Sequence, residues 1–148
     1  MSTNEHDLRF RPLGVEDLEL LLAWRSNPRI YRHFRDQDGP LKWSEHVEWF
    51  ANRPDGRHDF VILYRGRRIG TVSLGEEGSV GVLVGEEASW GRGIAKAAVE
   101  WVCGEFADGR TLLAEVRVDN ERSQKLFEGC GFTQQGRDGQ WLLYEFSG

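Results

Sequence analysis

The pattern of apolar and polar positions divides the first third of the chain into one strand and two helices. Residues 8–13 (LRFRPL) alternate apolar and polar side chains, which predicts a strand. Residues 17–24 (DLELLLAW) place leucines on one helical face, and this helix should stop before Pro28 because the residue preceding a proline disfavours helical backbone. A second helix is predicted after Ser44, a residue type that caps helices, and it should end before Pro54.

The pattern then takes the period of strands. Three short apolar runs, residues 59–64, 68–74 and 79–84, are separated by turn residues and predict an antiparallel meander. A helix should follow, and residues 111–118 (TLLAEVRV) should form another buried strand after it. The apolar face of that helix is predicted to consist of Ile94, Ala97, Ala98, Trp101, Val102 and Phe106.

The last thirty residues predict one more helix and two strands. A short helix should begin after Asn120 and close at Gly129 or Gly131. Strands are predicted around residues 132–135 and 141–146. The resulting order, β–α–α–β–β–β–α–β–α–β–β, has seven strands and four helices and predicts an α/β or α+β domain rather than a helix bundle or a β-sandwich.

Composition limits the classes of protein that the chain can represent. Its 148 residues fit a single domain over residues 1–148, and 29% charged and 39% hydrophobic residues are ordinary values for a globular protein. The net charge of −5 argues against nucleic acid as a partner. No apolar run is long enough to cross a membrane and no leader precedes the first predicted strand, so we expect no membrane association and a cytoplasmic protein.

Neither the cysteines nor the histidines have the spacing of a metal site. Cys103 and Cys130 are too few for a disulfide framework and do not form a CxxC pair. Cys103 lies within an apolar helical pattern, which predicts a buried thiol. His58 has no partner at the spacing of a zinc ligand, so no metal is predicted.

A glycine-containing segment, WGRGIAKAAVEWV, begins at Trp90 where a strand should end and a helix should start. A helix N-terminus has unpaired N–H groups and the positive end of the helix dipole, so it attracts anions. Glycines at positions 91 and 93 keep side chains away from this end, and Arg92 and Lys96 add positive charge. The segment is interpreted either as a pyrophosphate cradle or as a tight turn in which the glycines only supply unusual dihedral angles.

Two common phosphate-binding loops do not fit this segment. A Rossmann loop needs a third glycine or alanine at the position of Lys96, and it follows the first strand of a βαβ unit. A P-loop ends in Gly-Lys-Ser/Thr, which is absent. The segment therefore needs another explanation.

The residues Trp90-Gly91-Arg92-Gly93-Ile94-Ala95 fit the glycine loop Gln/Arg-x-x-Gly-x-Gly/Ala, with tryptophan in the first place. A second motif consists of Asn120, Ser123, Phe127 and GCGF at residues 129–132. Together with the element order, the two motifs resemble the GCN5-related N-acetyltransferase (GNAT) superfamily over nearly the whole chain. The tryptophan is similar to the branch that contains ribosomal-protein and amino-sugar acetyltransferases. The resemblance implies a central, mixed, mostly antiparallel twisted sheet flanked by helices, and acetyl-CoA as the co-substrate.

The resemblance also assigns residues to acetyl-CoA. Its cofactor positions are Leu83, Val84, Gly85, Trp90, Gly91, Arg92, Gly93, Ile94, Ala95, Lys96, Asn120, Ser123 and Phe127. The glycine loop should hold the pyrophosphate, and the main chain of the strand end should pair with the pantetheine arm as another strand would. Asn120 and Ser123 should contact the cofactor from the later helix, with Phe127 near the thiol.

Acetyl transfer to an amine needs a proton acceptor, because an alkylammonium has a pKa of about 10.4. His46 is the first candidate for this base; its alternative is a packed core histidine, since Trp43, Val47 and Phe50 share its helical face. Many family members have a tyrosine acid at the position of Phe127, which has no proton to donate. Tyr144 is a weaker stand-in, and water or substrate could protonate the leaving thiolate instead.

The acceptor is predicted from two further segments. Residues 24–34 (WRSNPRIYRHF) and 43–50 (WSEHVEWF) resemble enzymes that acetylate the 4-amino group of nucleotide-linked amino sugars, including the pseudaminic-acid branch. This resemblance implies that Arg25 and His46 line the acceptor site and that Arg25 pairs with a nucleotide phosphate. Trp49 either flanks the acceptor or faces solvent.

Three functional alternatives remain open. A nucleotide-linked amino-sugar acceptor predicts that arginines such as Arg25, Arg29 and Arg32 face the site, whereas a protein N-terminal amine predicts an open, acidic groove. The third alternative is a non-catalytic acyl-CoA-binding module, motivated by Phe127. Glu86 and Glu87 could relay a proton through water, although a solvated loop is the simpler interpretation. Family members are often dimers, so a homodimer is one expected assembly state.

Overall fold

The computed structural model describes residues 7–35 and 37–147, which form two β-sheets covered by helices. The strands are β1 (Leu8–Pro12), β2 (His58–Tyr64), β3 (Arg67–Leu74), β4 (Val80–Val84), β5 (Thr111–Arg117), β6 (Thr133–Asp138) and β7 (Trp141–Ser147). The helices are α1 (Leu18–Arg25), α2 (Pro28–Tyr31), α3 (Trp43–Ala51), α4 (Ile94–Phe106) and α5 (Glu121–Gly129). Short 3₁₀ turns occupy Val15–Asp17 and Glu87–Ser89.

The strands form two antiparallel sheets rather than the single central sheet that was expected. The first sheet has the order β1-β2-β3-β4 and the second has the order β5-β7-β6. An isolated parallel bridge joins Ser79 to Leu113, and the Leu113 N–H donates to the Gly78 carbonyl at 2.8 Å. The α/β class and the seven strands are confirmed, but β4 and β5 separate beyond this bridge.

The helix prediction needs two corrections. A fifth helix, α2, follows α1 directly, because Pro28 ends one helix and has the fixed φ angle that suits the first turn of the next. Asn27 caps this helix by accepting a hydrogen bond from the Arg29 N–H at 3.0 Å. Helix α3 starts earlier than expected: Lys42, not Ser44, is its N-cap, and the Glu45 carboxylate accepts the Lys42 N–H at 3.2 Å.

One hydrophobic core lies between the sheets and the helices α4 and α5. On α4, Ile94, Ala98 and Val102 are buried as predicted, and the buried side also includes Val99 and Cys103. Trp101 lies at the edge of this core and stacks on a ring of β1 instead. The buried Cys103 confirms the predicted buried thiol. None of the helices within the described residues is long and apolar enough to span a membrane.

A smaller core covers the opposite face of the first sheet. Its buried residues are Leu13, Leu18, Leu21, Trp24, Ile30, Val61 and Leu83. These side chains come from α1, α2 and the strands beneath them, so the helical segment that precedes the meander in sequence packs on the face opposite α4. The first sheet is therefore sandwiched between two layers of helices, and β4 is accessible mainly from the side that faces β5.

The buried carboxylate of Asp17 joins the start of α1 to the sheet. Arg11 donates to it in a bidentate pair at 2.7 and 2.8 Å, the Gly14 N–H donates at 2.9 Å, and Arg68 donates from β3 at 3.2 Å. Burial alone would raise the pKa of Asp17, but these hydrogen bonds outweigh burial and lower the pKa to about 2.

We expect Asp17→Asn to reduce the free energy of unfolding at pH 7 by ~2 kcal/mol, because it leaves the guanidinium groups without their anion. Since the folded-state pKa is depressed, the stabilisation is present above about pH 4 and is lost as the pH falls toward 2. Urea denaturation at pH 7 and pH 3 measures this difference, with the exposed Asp55→Asn as the control. An equal loss of stability at both pH values would contradict the assignment.

Candidate functional site

The separation of β4 from β5 leaves main-chain groups of β4 without a strand partner. Alternate residues along β4 are hydrogen-bonded to β3. Just before β4 the Gly75 N–H donates to the Ser79 carbonyl, and just after β4 the Gly85 N–H donates to the Ile69 carbonyl, both at 2.8 Å. The pair register continues this alternation through the strand, so the main-chain groups of Val82 and Val84 point away from β3, toward β5. The split between β4 and β5 is therefore lined by unpaired strand backbone.

This register divides the three strand residues that the resemblance assigned to pantetheine. Val84 faces the split, whereas Leu83 and Gly85 direct their N–H groups toward β3, and the pantetheine role of the three residues stays a prediction. The Val84 carbonyl accepts a hydrogen bond from the Trp90 indole N–H at 2.7 Å. Among Leu83, Val84 and Gly85, the N–H group that points into the split is therefore that of Val84.

Gly85 has a packing role that the sequence did not reveal. A Cβ atom at this position would lie 2.2 Å from the ring of Trp24, so only glycine lets α1 approach the end of β4 this closely. Trp24 is buried in the smaller core. Gly85 thus fixes the position of α1, and of Arg25 that follows Trp24, relative to the split.

The glycine loop leaves the first turn of α4 open. Gly91 and Gly93 have φ angles of 78° and 80°, and a Cβ at either position would meet nothing within 4 Å. The tight-turn interpretation therefore explains both glycines through their backbone conformation. Gly93 is also the N-cap of α4 and has no side chain to bind the first N–H groups, while Arg92 and Lys96 are exposed beside them. The same turn is thus able to receive an anion.

Trp90, the first residue of the loop, lies between two arginines. The guanidinium carbons of Arg29 and Arg122 are 5.8 and 5.4 Å from the centroid of its ring. Arg29 is also paired with Glu87 at 2.9 Å. The ring therefore supports two cations next to the N-termini of α4 and α5, the helix ends that the two sequence motifs occupy.

The second motif is ordered by internal contacts. Asn120 caps α5 by accepting the Ser123 N–H at 3.3 Å, and its amide N–H donates to the Ser123 hydroxyl at 3.0 Å. Phe127 is buried and packs edge-on against Phe132, with ring centroids 5.1 Å apart. Its contacts are those of a core residue.

The suggested stand-in acid, Tyr144, is also engaged. Its buried hydroxyl donates to the Glu128 carboxylate at 2.9 Å. Burial, and then the Glu128 hydrogen bond, raise the pKa of Tyr144 to about 12. The phenol therefore keeps its proton at neutral pH, and that proton is directed at Glu128.

A cleft of about 500 Å³ opens over the split. Its lining includes the predicted residues Arg25, Trp49 and Leu83. The Arg25 guanidinium carbon lies 5.5 Å from the Trp49 ring and 5.9 Å from the Phe34 ring. Burial, and then the nearby Arg57 charge, lower the pKa of Arg25, and within residues 7–35 and 37–147 its guanidinium has no ion pair or hydrogen bond. This basic wall of the cleft has an unsatisfied cation.

The other arginines of the cleft, and two of its carboxylates, are paired. Arg57 makes a bidentate pair with Asp59 at 3.0 and 3.0 Å and places its guanidinium 5.5 Å from the Trp49 ring. Arg35, on the loop after α2, pairs with Glu115 at 2.5 Å and also with Asp138. The cleft therefore has a basic wall on the α1 side and an acidic wall on the β5 side, and Arg35 connects the two.

Several expectations for the cleft residues change. Trp141, at the start of β7, lines the cleft with its ring under the Arg35 guanidinium at 5.8 Å. Arg29 and Arg32 do not line it: Arg29 pairs with Glu87 and Arg32 contacts His33. Glu86 and Glu87 also lie outside the cleft lining, and each pairs with an arginine, in agreement with a solvated loop.

His46 lies beneath α1 rather than on the wall of the cleft. Its side chain is 1% exposed, its Nε2 lies 3.0 Å from the Leu18 carbonyl, and its ring stacks on Trp49 at 5.6 Å. Because a carbonyl accepts only, Nε2 donates and Nδ1 holds the lone pair, and Nδ1 is buried without a partner. Burial, and then the Arg25 charge, lower the pKa of His46. This is the geometry of the core-histidine alternative, and the role as base stays a prediction.

Sequence reasoning missed most residues that line the cleft, including four with basic or aromatic side chains: His33, Arg35, Arg57 and Trp141. All four lie in turns or loops or at a strand end, where the apolar pattern has no period. His33 lies in the same segment as Arg25, but local pattern does not show that the two residues share a cleft. The charge-rich loop between α2 and α3 was the available signal, since loops carry functional side chains more often than regular elements do.

Comparison with known proteins gives consistent results. A model of the acetyltransferase (GNAT) domain matches residues 7–133. An uncharacterized protein of Methanocaldococcus jannaschii is 39% identical over 144 residues, which is 89% of this chain, and the chain spans 30% of the length of that relative.

Solved structures agree with this comparison. A crystal structure of a domain from the same organism is 36% identical, with a TM-score of 0.84 over 95% of this chain and 97% of that chain. The spermidine N-acetyltransferase from Vibrio cholerae, solved with CoA and spermine, has a TM-score of 0.80 at 18% identity, over 95% of this chain and 94% of that chain. At this lower identity the likeness concerns the fold.

We expect His46→Asn to lower the free energy of unfolding at pH 7 by about 1–3 kcal/mol, because it removes a buried hydrogen bond and ring packing. The wild-type stability should fall as the pH drops from 7 to 5, since a buried histidine with a depressed pKa is charged first in the unfolded state. His33, whose pKa is also lowered, acts in the same direction. The stability of the variant should therefore still fall as the pH drops, but less steeply than that of the wild type. Parallel stability–pH curves for the two proteins would contradict this.

Proposed function

We propose that this chain, which belongs to the acetyltransferase (GNAT) family, transfers the acetyl group of acetyl-CoA to a primary amine of a small acceptor. The observation that carries the proposal is the split between β4 and β5, which lies beside the open N-terminus of α4. An extended chain of amides and a pyrophosphate are the two parts of CoA that these features suit.

The fit of CoA is supported by donors that have no partner within the described part of the chain. The main-chain groups of Val82 and the Val84 N–H point into the split. The first turn of α4 has no side-chain cap, and Arg92 and Lys96 extend from it into solvent. Acetyl-CoA would therefore place its amides along β4 and its phosphates at the helix end. When bound, it supplies the reactive thioester.

The chemistry requires a neutral amine, a donor for the carbonyl oxygen and a proton for the leaving thiolate. The amine nitrogen attacks the thioester carbon, the C–S bond breaks, and the reaction releases one proton overall for each ammonium consumed. The Val84 N–H is the strand donor placed to stabilise the developing oxyanion. Phe127 has no proton and Tyr144 donates to Glu128, so the thiolate, whose conjugate thiol has an ordinary pKa of about 8.5, takes its proton from elsewhere.

We further propose that the acceptor is anionic, with the 4-amino group of a nucleotide-linked amino sugar as the specific candidate. Its support is Arg25, a half-buried guanidinium in the cleft that has no ion pair within the described residues. Arginine binds phosphate in a bidentate fashion, and the flanking rings of Trp49 and Phe34 hold its plane. This assignment also favours the amino-sugar branch of the family over the ribosomal-protein branch.

Two other functions make different predictions. A protein N-terminal acetyltransferase would need an acidic groove for a peptide, and Glu115 of the β5 wall, like Asp138 at the end of β6, is held by Arg35. A non-catalytic acyl-CoA-binding module would bind CoA without releasing it as free thiol. Thiol release from acetyl-CoA with a UDP-linked 4-amino sugar, spermidine and an N-terminal peptide distinguishes all three. CoA binding without turnover of any amine would overturn the enzyme assignment.

The role of the glycine loop is tested with Gly93→Ala. The substitution forces alanine into a φ of 80° and crowds the α4 N-terminus, so we expect the Kd for CoA to rise by about 10-fold or more. Gly66→Ala is the matched control, because Gly66 also has a φ of 80° and open space around it but lies in the β2–β3 turn. Both variants should lose ~1 kcal/mol of stability, and calorimetric titration should find weaker CoA binding in Gly93→Ala alone.

The role of Arg25 is tested by replacing it with methionine. Removing a charge-assisted phosphate contact should raise the KM for the UDP-linked 4-amino sugar by about 10–100-fold and leave the KM for acetyl-CoA unchanged. Arg110→Met, at the distant turn before β5, is the control variant. Benzylamine, which has no anionic group, serves as the control acceptor. An equal rise in KM for both acceptors would show that Arg25 does not contact the anion.

A further inference from the structure

A second histidine, His33, lies on the wall of the cleft that His46 does not reach. It follows α2, on the loop that crosses from the first sheet toward β5, and its side chain is half-buried. Arg25 and Trp49 line one side of the same cleft, and Glu115 and Trp141 line the other. His33 is therefore placed over the split, between the residues proposed to hold the acceptor and the second sheet.

The hydrogen bonding of His33 identifies the nitrogen that carries the lone pair. The Arg32 Nε–H donates to Nε2 of His33 at 3.1 Å, so Nε2 accepts and the neutral ring carries its proton on Nδ1. Nδ1 is buried and has no partner among the described residues. Nε2 accepts this hydrogen bond from Arg32, an exposed residue with a flexible side chain. The N–H of an acceptor ammonium would donate to Nε2 in the same way.

The groups around His33 come from three elements. Burial is the largest influence and lowers the pKa of His33; the charges of Arg32, Arg117 and Arg122 act in the same direction, and Asp119 opposes them. Arg35 and Glu115 line the same cleft but are paired with each other. Together, burial and these charges lower the pKa of His33 and favour the neutral imidazole at pH 7, which is the form that accepts a proton.

The carboxylates of the cleft are held by ion pairs or by a hydrogen bond within the protein. Asp59 is held by Arg53 and Arg57, and Glu115 is held by Arg35. Glu77 accepts the hydroxyl of Ser79 at 3.0 Å. Among the described residues that line the cleft, His33 is the one histidine.

We propose that His33 is the catalytic base that takes the proton from the acceptor amine through Nε2. The inference rests on the proposed acetyl transfer. The acceptor ammonium first loses one proton to bulk solvent, and the neutral amine then attacks the thioester carbon. As the C–N bond forms and the C–S bond breaks, the second amine proton passes to Nε2. The imidazolium then returns this proton to the leaving CoA thiolate or to water, and the Arg32 N–H moves away from Nε2 while the acceptor is bound.

The test compares His33→Gln with wild type in transfer of acetyl from acetyl-CoA to the UDP-linked 4-amino sugar. Loss of a general base should lower kcat/KM by about 10²–10⁴-fold. The acidic limb of the kcat/KM–pH profile, which reports protonation of the imidazole, should disappear in the variant. The Kd for CoA and the thermal midpoint should stay within error of wild type. Added imidazole should restore part of the rate, which would not occur if His33 were only structural.

His58→Gln is the matched control, because His58 lies on β2 against Phe106, outside the cleft lining, and should keep full activity. A His33→Gln variant that retains more than a third of wild-type kcat/KM, or that keeps the acidic limb, would overturn the proposal. If His46→Asn instead loses kcat with normal CoA binding while His33→Gln does not, the base is His46. A wild-type protein that acetylates none of the amines tested would overturn both the acetyl-transfer function and this inference. An active wild type whose activity is lost in other variants but not in His33→Gln would overturn the inference alone.

Discussion

The structure depends on the requirement that buried backbone groups find hydrogen-bond partners, and on the split between β4 and β5, where strand backbone in the described residues has no strand partner. On its β3 side, β4 is fully paired, with bonds at both ends of the register from Gly75 and Gly85. On its other side it contacts β5 through the isolated Ser79–Leu113 bridge. Beyond that bridge, strand backbone is left for another partner, and an extended polyamide is the partner such an edge accepts.

Two contacts keep the split open. Gly85 admits the Trp24 ring against the end of β4, which fixes α1 on one face of the sheet. The Trp90 indole donates to the Val84 carbonyl and holds the glycine loop beside the last residue of the strand. The loop then turns through two glycines with positive φ into α4, so the strand end and the helix N-terminus stay adjacent. The family position of Trp90 thus has a physical explanation: its ring joins two parts of one binding surface.

The buried and half-buried charged residues fall into two groups, those that are paired within the protein and those that a ligand could pair with. Asp17 and Asp59 are buried and surrounded by arginines, which is how a buried carboxylate remains charged. Arg25 is the contrasting case, since its guanidinium is half-buried among aromatic rings and has no ion pair in the described residues, although the charge of Asp59 acts on it. An arginine desolvated without a partner in the protein is stabilised when a ligand supplies the anion, so the cleft favours an acceptor that carries one.

The sequence alone determined the element order, the glycine loop and the Asn120 motif, because these depend on local periodicity and on residues close together in the chain. It also predicted Arg25 as an acceptor residue, through a segment that resembles a known acceptor site, and left Trp49 between the acceptor and solvent. Local pattern could not distinguish a catalytic His46 from a packed one, since both place a histidine on an apolar helical face. The tertiary structure alone placed His46 beneath α1 and brought the loop of His33 and Arg35 together with Arg57 and Trp141 at one cleft. It also decided that β4 and β5 part after one bridge, because strand pairing is a contact between distant residues that neither strand's own sequence specifies.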